Sequence, residues 1–351
     1  MERKDILNNQ LTNEPEKTRS GESTEKVRPN KLEAEAQAFW SSERKEGEPQ
    51  IKFKIAYGMH VGSKDLEFLK KDFDVCDVYA PENFGWQPYD LEMEEKLSYG
   101  IVSPEVLKKA FKNRPYYYGH MMANAEMVYR SRKPILLIDV PYSHKLNMDR
   151  IHLPSISDFI NLKNLEDKIK LAREFITKTT AFDKEREEYI FTQIPIRMKE
   201  LFLRKPELHK KQELKVLISL GSSHTPLFHM MHKANPNMVE RSFQELPYKF
   251  SLDTATQRTI AFGISRPEDL NDELLARLVM GYEFSKYFVK SMTRAGEKDI
   301  SAKFSEKVDR YINMFSLEEI REFYEQLKTR VVFRDLFLEF LRKKGIKDKS
   351  L

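Results

Sequence analysis

The middle of the chain alternates between short apolar runs and stretches whose apolar residues recur at helical spacing. The apolar runs hold many β-branched, aromatic and aliphatic residues, and each is predicted to be a strand: residues 51–57, 74–80, 133–141 and 214–220. Between the first two runs, residues 63–72 predict a short helix that Ser63 can cap. A strand, a short helix and a second strand form a βαβ unit, which favours a parallel sheet.

Longer amphipathic stretches predict helices over residues 103–114, 116–132, 165–205 and 224–234. Pro195 is expected to kink or break the third of these near Ile194, because proline removes a helical hydrogen bond. Beyond about residue 265 the apolar spacing is helical throughout. The pattern therefore predicts an α/β fold, in which helices flank a mostly parallel sheet and the C-terminal portion is helical.

The start of the chain has a different composition. Residues 1–49 are dense in charge, Asn, Ser, Thr and Pro, and almost free of aromatic residues. Such a segment cannot bury enough apolar surface to offset the entropy of ordering it. Three regions are predicted: a disordered N-terminal tail over residues 1–49, an α/β core domain with the site over residues 50–264, and a helical C-terminal region over residues 265–351.

Composition narrows the class of protein. The 60 Lys and Arg residues and 55 Asp and Glu residues give a net charge of +5 with both signs interspersed, which argues against nucleic-acid binding. The single cysteine, Cys76, excludes an intramolecular disulfide and a Cys-based zinc site. No stretch approaches the ~18 apolar residues of a membrane span, and no signal-peptide pattern begins the chain. We expect a cytoplasmic protein without a membrane partner, and the oligomeric state stays open.

Polar residues stand at the ends of the predicted strands. His60 follows Gly58 by two positions, and His224 follows Gly221 by three. A glycine at a strand end lets the chain turn sharply and lets a ligand approach the backbone. The carboxyl ends of parallel strands meet at one edge of a sheet, where ligands bind. Four residues are therefore expected to converge there: His60, Glu82, Asp139 and His224.

These residue types suit proton transfer. An imidazole titrates near neutral pH and also ligates metals. Glu82 can orient a histidine or act as a base toward water. Arg186 lies on the long predicted helix within a charged run, where a solvated face is the usual outcome. Its alternative is a guanidinium directed at Glu82 or at an anionic intermediate.

Further candidates belong to substrate binding. His144 follows the third predicted strand, and with Asp139 it is expected at the sheet's carboxyl edge. His229 lies on the helix after His224, where it either faces the site or forms the polar edge of an amphipathic helix. The chain has no phosphate-binding glycine motif, no HExxH metal motif and no G-x-S-x-G nucleophile elbow.

Five segments together resemble a known superfamily. They are "YGMH" after the first strand, "YAPE" after the second, "LIDVP" at the third, "REEYIFTQI" on the long helix and "LGSSH" after the fourth. This order is similar to that of the superfamily that joins the erythromycin esterases, the ChaN-like haem-binding proteins and the TraB/Tiki proteins, over roughly residues 50–235. The resemblance implies His60 as general base or metal ligand and Glu82 as its acidic partner. It also implies Arg186 as the helical arginine and His224 as the second histidine.

The patterns predict a hydrolase in which His60, helped by Glu82, activates water against an ester- or amide-type carbonyl of a small molecule or peptide. His224 and Arg186 are expected to stabilise the oxyanion or position the substrate. No cofactor is fixed, and a divalent metal bound by His60 and His224 stays open. Two alternatives remain: a non-catalytic haem- or metal-binding module of the same fold, and an interaction protein with a vestigial pocket.

Overall fold

The computed structural model describes residues 29–41, 47–58, 63–110, 118–243, 252–293, 309–329 and 332–346. Its strands are β1 (Gln50–Gly58), β2 (Val78–Ala80), β3 (Glu213–Gly221) and β4 (Val239–Phe243). The helices before β3 are α1 (Pro29–Ser41), α2 (Ser63–Val75), α3 (Pro88–Ser98), α4 (Pro104–Ala110), α5 (Tyr118–Ser131), α6 (Lys145–Asp149), α7 (Ile156–Ile160) and α8 (Leu165–Arg204). Those after it are α9 (Thr225–Ala234), α10 (Leu252–Ala261), α11 (Asp272–Thr293), α12 (Leu317–Leu327) and α13 (Phe333–Lys343).

The strands form one parallel sheet in the order β2-β3-β1-β4. β1 and β3 pair along their whole length, from Gln50 beside Glu213 to Gly58 beside Gly221. Residues 216–220 of β3 are all buried, as expected for a strand covered by helices on both faces. The predicted α/β fold with a parallel sheet is therefore confirmed, and the two strand-end glycines lie side by side.

Two predicted strands are wrong in part, and one strand of the structure was not predicted. β2 is only three residues long, because α2 extends to Val75 and takes the start of the predicted strand over residues 74–80. Residues 133–141 form isolated bridges in place of a strand, with Ile135 beside Tyr79 of β2 and Pro141 beside Trp86, since the prolines of this segment donate no hydrogen bonds to a ladder. β4 was not predicted, because a short edge strand rich in charge has little apolar signal.

Helix α8 continues through Pro195 for 40 residues, so a break near Ile194 is wrong, whereas a kink there stays a prediction. Proline cannot donate to the carbonyl of Phe191, four residues earlier. That carbonyl accepts a hydrogen bond from the indole of Trp40 at 3.4 Å, and the Trp40 and Phe191 rings stack with centroids 5.3 Å apart. A side chain from α1 thus replaces the missing backbone donor.

Helix α1 belongs to the folded core. Ala36 and Trp40 are buried among apolar residues of β1, β3 and α8. The predicted end of the tail at residue 49 is therefore wrong, because residues 29–41 form a packed helix and residues 47–49 lead into β1. The other residues of the predicted tail lie outside the described part of the chain.

The helical C-terminal region shares its core with earlier residues. Side chains of α7 and of the first half of α8, including Phe159, Ile169 and Ile176, pack with those of α11, α12 and α13. The predicted boundary at residue 265 therefore does not separate two independent cores, since α8 contributes to both. Within the described residues, no helix combines the length and the hydropathy that a membrane-spanning segment needs.

Candidate functional site

Arg186 of α8 is the centre of a buried ionic cluster at the carboxyl edge of the sheet. Its Nε donates to Oδ1 of Asp139 at 2.9 Å, and its Nη2 donates to Oδ2 at 2.5 Å. Nη2 also donates to Oε1 of Glu82 at 2.9 Å, and Nη1 lies 2.9 Å from Nε2 of His224. These four predicted site residues therefore lie in contact, and we call them the Arg186 cluster.

Glu82 is held on both of its oxygens. Oε2 accepts the N–H of Gly221 at 2.6 Å, while Oε1 binds Arg186 and lies 3.4 Å from Nε2 of His224. Gly221 has a φ of −64°, so the strand end uses its backbone N–H and not the freedom of glycine to adopt positive φ. The side chain of Glu82 is 19 % exposed, against 8 % for Arg186. Glu82 is therefore the member of the cluster that solvent reaches.

Asp139 is almost fully buried and is fixed by backbone groups. Oδ1 accepts the N–H of Val140 at 2.8 Å, and Oδ2 accepts the N–H of Asn83 at 3.2 Å. The carbonyl of Asp139 also accepts from the indole of Trp86 at 2.7 Å. A carboxylate with two N–H donors and a guanidinium is paired on all sides. Its contacts serve Arg186, and its role in substrate binding stays a prediction.

His224 lies in a short 3-10 turn between β3 and α9, where the hydroxyl of Tyr57 donates to its carbonyl at 3.0 Å. Its Nδ1 lies 3.2 Å from Oε1 of Glu187. Burial and the charge of Arg186 lower the pKa of His224, but hydrogen bonds to Glu187 and Glu82 outweigh both and raise it to about 10.

The direction of this shift favours a cationic His224 at neutral pH. The approach of Nη1 of Arg186 to Nε2 of His224 would be a hydrogen bond only for a neutral ring, because both nitrogens of the cation carry hydrogen. The carboxyl groups around the two cations outnumber them and offset their repulsion.

Sequence reasoning missed two carboxyl groups of α8, Asp183 and Glu187. Burial raises the pKa of both groups, and the positive charge of His224 opposes the rise. A signal for Glu187 was present in the sequence: Thr180 and Ile194 are buried seven residues to either side of it, so all three share one helical stripe. A charged residue on the buried stripe of a helix is almost always paired.

The two histidines expected to bind substrate lie outside the hydrogen bonds of the cluster. Nδ1 of His144 accepts the N–H of Leu146 and so caps α6, and its ring centroid is 4.6 Å from that of Tyr189. His229 is exposed and lies 3.4 Å from Nη1 of Arg241. His229 therefore lies beside β4 and outside the Arg186 cluster, and its role in substrate binding stays a prediction. The role of His144 stays a prediction.

His60 lies outside the described residues, so its predicted role stays a prediction. Gly58, two positions earlier, is the register partner of Gly221, whose N–H binds Glu82. The described end of β1 therefore lies beside the strand end that holds Glu82.

The described residues do not fit a divalent metal ion. No group of three or more His, Cys, Asp and Glu side chains among them is arranged to hold one. The guanidinium of Arg186 lies between Glu82 and Asp139, where a metal ion would need to be. His224 has no free nitrogen, because a carboxylate faces Nδ1 and Arg186 faces Nε2. The predicted metal pair of His60 and His224 thus loses His224 as a ligand.

The chain was compared with protein-family models, with curated proteins and with solved structures, and none of them matches it. The resemblance to the erythromycin esterase, ChaN-like and TraB/Tiki superfamily therefore stays a prediction that rests on the sequence segments alone.

Proposed function

We propose that this protein is a hydrolase of ester- or amide-type bonds whose active centre is the Arg186 cluster. The observation that carries the proposal is the buried guanidinium of Arg186, which contacts Glu82, Asp139 and His224 at the carboxyl edge of a parallel sheet. Ligands of open α/β sheets bind at this edge. Buried ionisable groups with shifted pKa values, gathered at such an edge, are typical of sites that move protons.

The energetic cost of the cluster supports a functional role. Taking an ion out of water costs several kcal/mol, and apolar residues of similar volume often give equal or greater stability than a buried ion pair. The chain nevertheless buries Arg186, Asp139, Glu187 and His224 together. A site that must hold charge accounts for this arrangement better than stability does.

In the proposed reaction, His60 and Glu82 act on water. The water oxygen bonds to the carbonyl carbon, His60 takes the proton of the water, and the carbonyl electrons move onto oxygen as an oxyanion. The intermediate then collapses with cleavage of the bond to the alcohol or amine, which leaves with the proton from His60. Two residues of chain keep the Cα atoms of His60 and Gly58 within about 7 Å, which supports a place for His60 near Glu82.

The other members of the cluster prepare the site. Arg186 is a positioning residue, because its Nε and Nη2 are engaged by Asp139 and Glu82. His224 supplies a positive charge behind Glu82, and a fixed charge of this kind stabilises an oxyanion where water is excluded.

We also propose a small-molecule or peptide substrate and a cytoplasmic location. The chain has one cysteine and therefore no intramolecular disulfide, as is usual in a reducing compartment. Burial raises the pKa of Cys76 to about 11, which makes it a poor nucleophile and leaves the chemistry to the cluster.

A panel of carboxylic esters, amides and peptides tests the proposal with the purified full-length protein. His60→Ala and Glu82→Gln are each expected to lower kcat by about 100-fold or more, because each removes a group that acts on water. His229→Ala is the matched control, since this histidine lies outside the cluster, and its rates should equal those of the wild type. Circular dichroism confirms that each variant is folded.

Wild-type rates in both His60→Ala and Glu82→Gln, on every substrate that responds, would show the proposal to be wrong. An absorption spectrum and elemental analysis of the same sample address the binding alternative. A Soret band, or stoichiometric metal that a His60→Ala/His224→Ala variant loses, would point to a binding module instead.

A further inference from the structure

A buried carboxyl group that the proposed reaction does not use is joined to the Arg186 cluster through Asn83. Glu94 of α3 is only 3 % exposed. Its Oε1 accepts a hydrogen bond from Nδ2 of Asn83 at 2.7 Å, and the backbone N–H of Asn83 donates to Oδ2 of Asp139 at 3.2 Å. Because Asn83 follows Glu82 directly, Glu94 is linked to both carboxylates that bind Arg186.

The surroundings of Glu94 contain no cationic partner among the described residues. Its second oxygen, Oε2, has no hydrogen-bond partner in this part of the chain. Among the described residues, the ionisable groups near it are Asp90 of its own helix and the hydroxyl of Tyr79 from β2, which interacts with Ser219. Helix α5 packs against α3 through apolar residues that include Ala125 and Val128.

Among the described residues, an ionised carboxylate in this buried place would have no counter-ion, whereas a protonated carboxyl group carries no charge whose hydration is lost on burial. We propose that Glu94 is a positioning residue of the active centre, held as a neutral carboxylic acid that fixes Asn83 and, through it, Glu82 and Asp139. The role in an active centre rests on the proposed function, whereas the protonation of Glu94 and its bond to Asn83 do not. Buried neutral carboxylic acids are known in enzyme active sites.

The pH dependence follows from the surroundings. Burial raises the pKa of Glu94 to about 8; the Asn83 hydrogen bond opposes the rise, and the charge of Asp90 adds to it. The native state thus keeps a proton that the unfolded chain releases near pH 4.5. Stability is therefore expected to fall as the pH rises from about 4.5 to about 8, with no further change from this group above that.

Three variants of the full-length protein separate charge from position. Glu94→Gln cannot ionise but keeps an acceptor for Asn83, Glu94→Ala removes the acceptor, and Glu92→Gln is the control on the exposed side of the same helix. Infrared difference spectra should show a protonated carboxyl band in the wild type that disappears near pH 8 and is absent from Glu94→Gln. The melting temperature of Glu94→Gln should also fall less than that of the wild type between pH 5 and 8.

Kinetics and NMR test whether Glu94 positions Glu82. Glu94→Ala should lower kcat on the order of 10-fold with KM unchanged, because Glu82 loses its fixed place. Glu94→Gln should keep the wild-type kcat at pH 7 and retain it above pH 8, where the wild type declines. The ring resonances of His224, which contacts Glu82, should shift in Glu94→Ala and stay in place in Glu94→Gln.

The outcomes that overturn the inference are distinct from failure of the proposed function. A wild-type carboxyl band that titrates near pH 4.5, or equal pH dependence of stability in Glu94→Gln and wild type, shows that Glu94 is not neutral. Unshifted His224 resonances in Glu94→Ala show that it does not position the cluster. If no substrate is hydrolysed at all, the proposed function fails, while the spectra and melting curves still decide the state of Glu94.

Discussion

Helix α8 carries two buried cations that are treated differently by their surroundings. Near its start, Lys168 contacts Glu283 of α11 and donates to the carbonyl of Ile160 at 2.8 Å. The other oxygen of Glu283 accepts the hydroxyl of Tyr324 at 2.7 Å. Further along the helix, Arg186 lies beside the cationic His224, which precedes α9. The carboxyl groups around these two cations belong to Glu82, Asp139 and Glu187.

The difference lies in charge balance and access. The Lys168 site has one cation and one anion, both side chains are 5 % exposed, and hydrogen bonds complete it. Around the two cations Arg186 and His224, Glu187 adds a third carboxyl group to those of Glu82 and Asp139, and Glu82 remains partly exposed. A buried pair with equal numbers of opposite charges and no solvent access holds helices together. A cluster with unequal numbers of charges and partial solvent access can exchange protons. The two sites show that burial of charge alone does not identify function.

The largest expected effect comes from removing the guanidinium of Arg186. Arg186→Met leaves the carboxylates of Asp139 and Glu82 without their partner, and we expect a loss of about 5 kcal/mol in the free energy of unfolding. Urea unfolding at pH 7 measures the loss. A decrease below about 1 kcal/mol would mean that the guanidinium does not neutralise the cluster.

A smaller effect is expected at the balanced pair, and a second change should reverse it. Lys168→Met alone leaves Glu283 as a buried, unpaired carboxylate and should cost about 3 kcal/mol. Adding Glu283→Gln removes that charge and keeps an acceptor for Tyr324, so the double variant should return to within about 1 kcal/mol of the wild type.

Rates of hydrolysis also distinguish the Lys168–Glu283 pair from the Arg186 cluster. Neither Lys168→Met nor the double variant should change kcat on a responsive substrate, provided that the protein is folded. Equal loss of activity at both ionic sites would remove the distinction between a structural pair and a functional cluster.

The smallest expected effect is the dependence of the free energy of unfolding on pH that His224 causes. The pKa of His224 is raised to about 10, so its contribution to stability is fully present below its ordinary value of 6.5 and is lost as the pH rises through about 10. Between pH 8 and 10 the wild type should lose at least about 1.4 kcal/mol more than His224→Gln, the equivalent of one pKa unit.

His229→Gln is the matched control for this measurement, because burial and nearby cations lower the pKa of His229 and it should not respond above pH 8. A wild type and a His224→Gln variant with parallel stability curves from pH 8 to 10 would show that His224 is neutral there. The 2.9 Å contact of Arg186 with its Nε2 would then be a hydrogen bond.

The core of the site could be predicted because parallel strands share a carboxyl edge. Glu82, Asp139 and His224 were expected together from strand ends alone, and all three contact Arg186. Errors in strand length did not matter, since the position of a strand's end depends little on where the strand begins. For Arg186 the sequence left two alternatives, a solvated helix face and a guanidinium directed at the site, because a charged run on a helix is usually solvated.

What the sequence did not reveal depends on packing between distant residues. Glu187 and Asp183 lie in a run of charges, and the sequence does not show that both interact with the distant His224. Lys168 and Glu283 are 115 residues apart, and no local pattern pairs them. The continuity of α8 through Pro195 depends likewise on Trp40 of α1.

Because α8 serves two cores, its two halves find their partners at different times during synthesis. The half with Arg186 meets its sheet once β3 and β4 have been made, by residue 243. The half with Lys168 packs against α11, α12 and α13, which end at Lys343. Chains fold from the N-terminus as they emerge. While about a hundred further residues are synthesised, the half of α8 with Arg186 is therefore packed on the sheet. Over the same interval the apolar face of the half with Lys168 stays exposed.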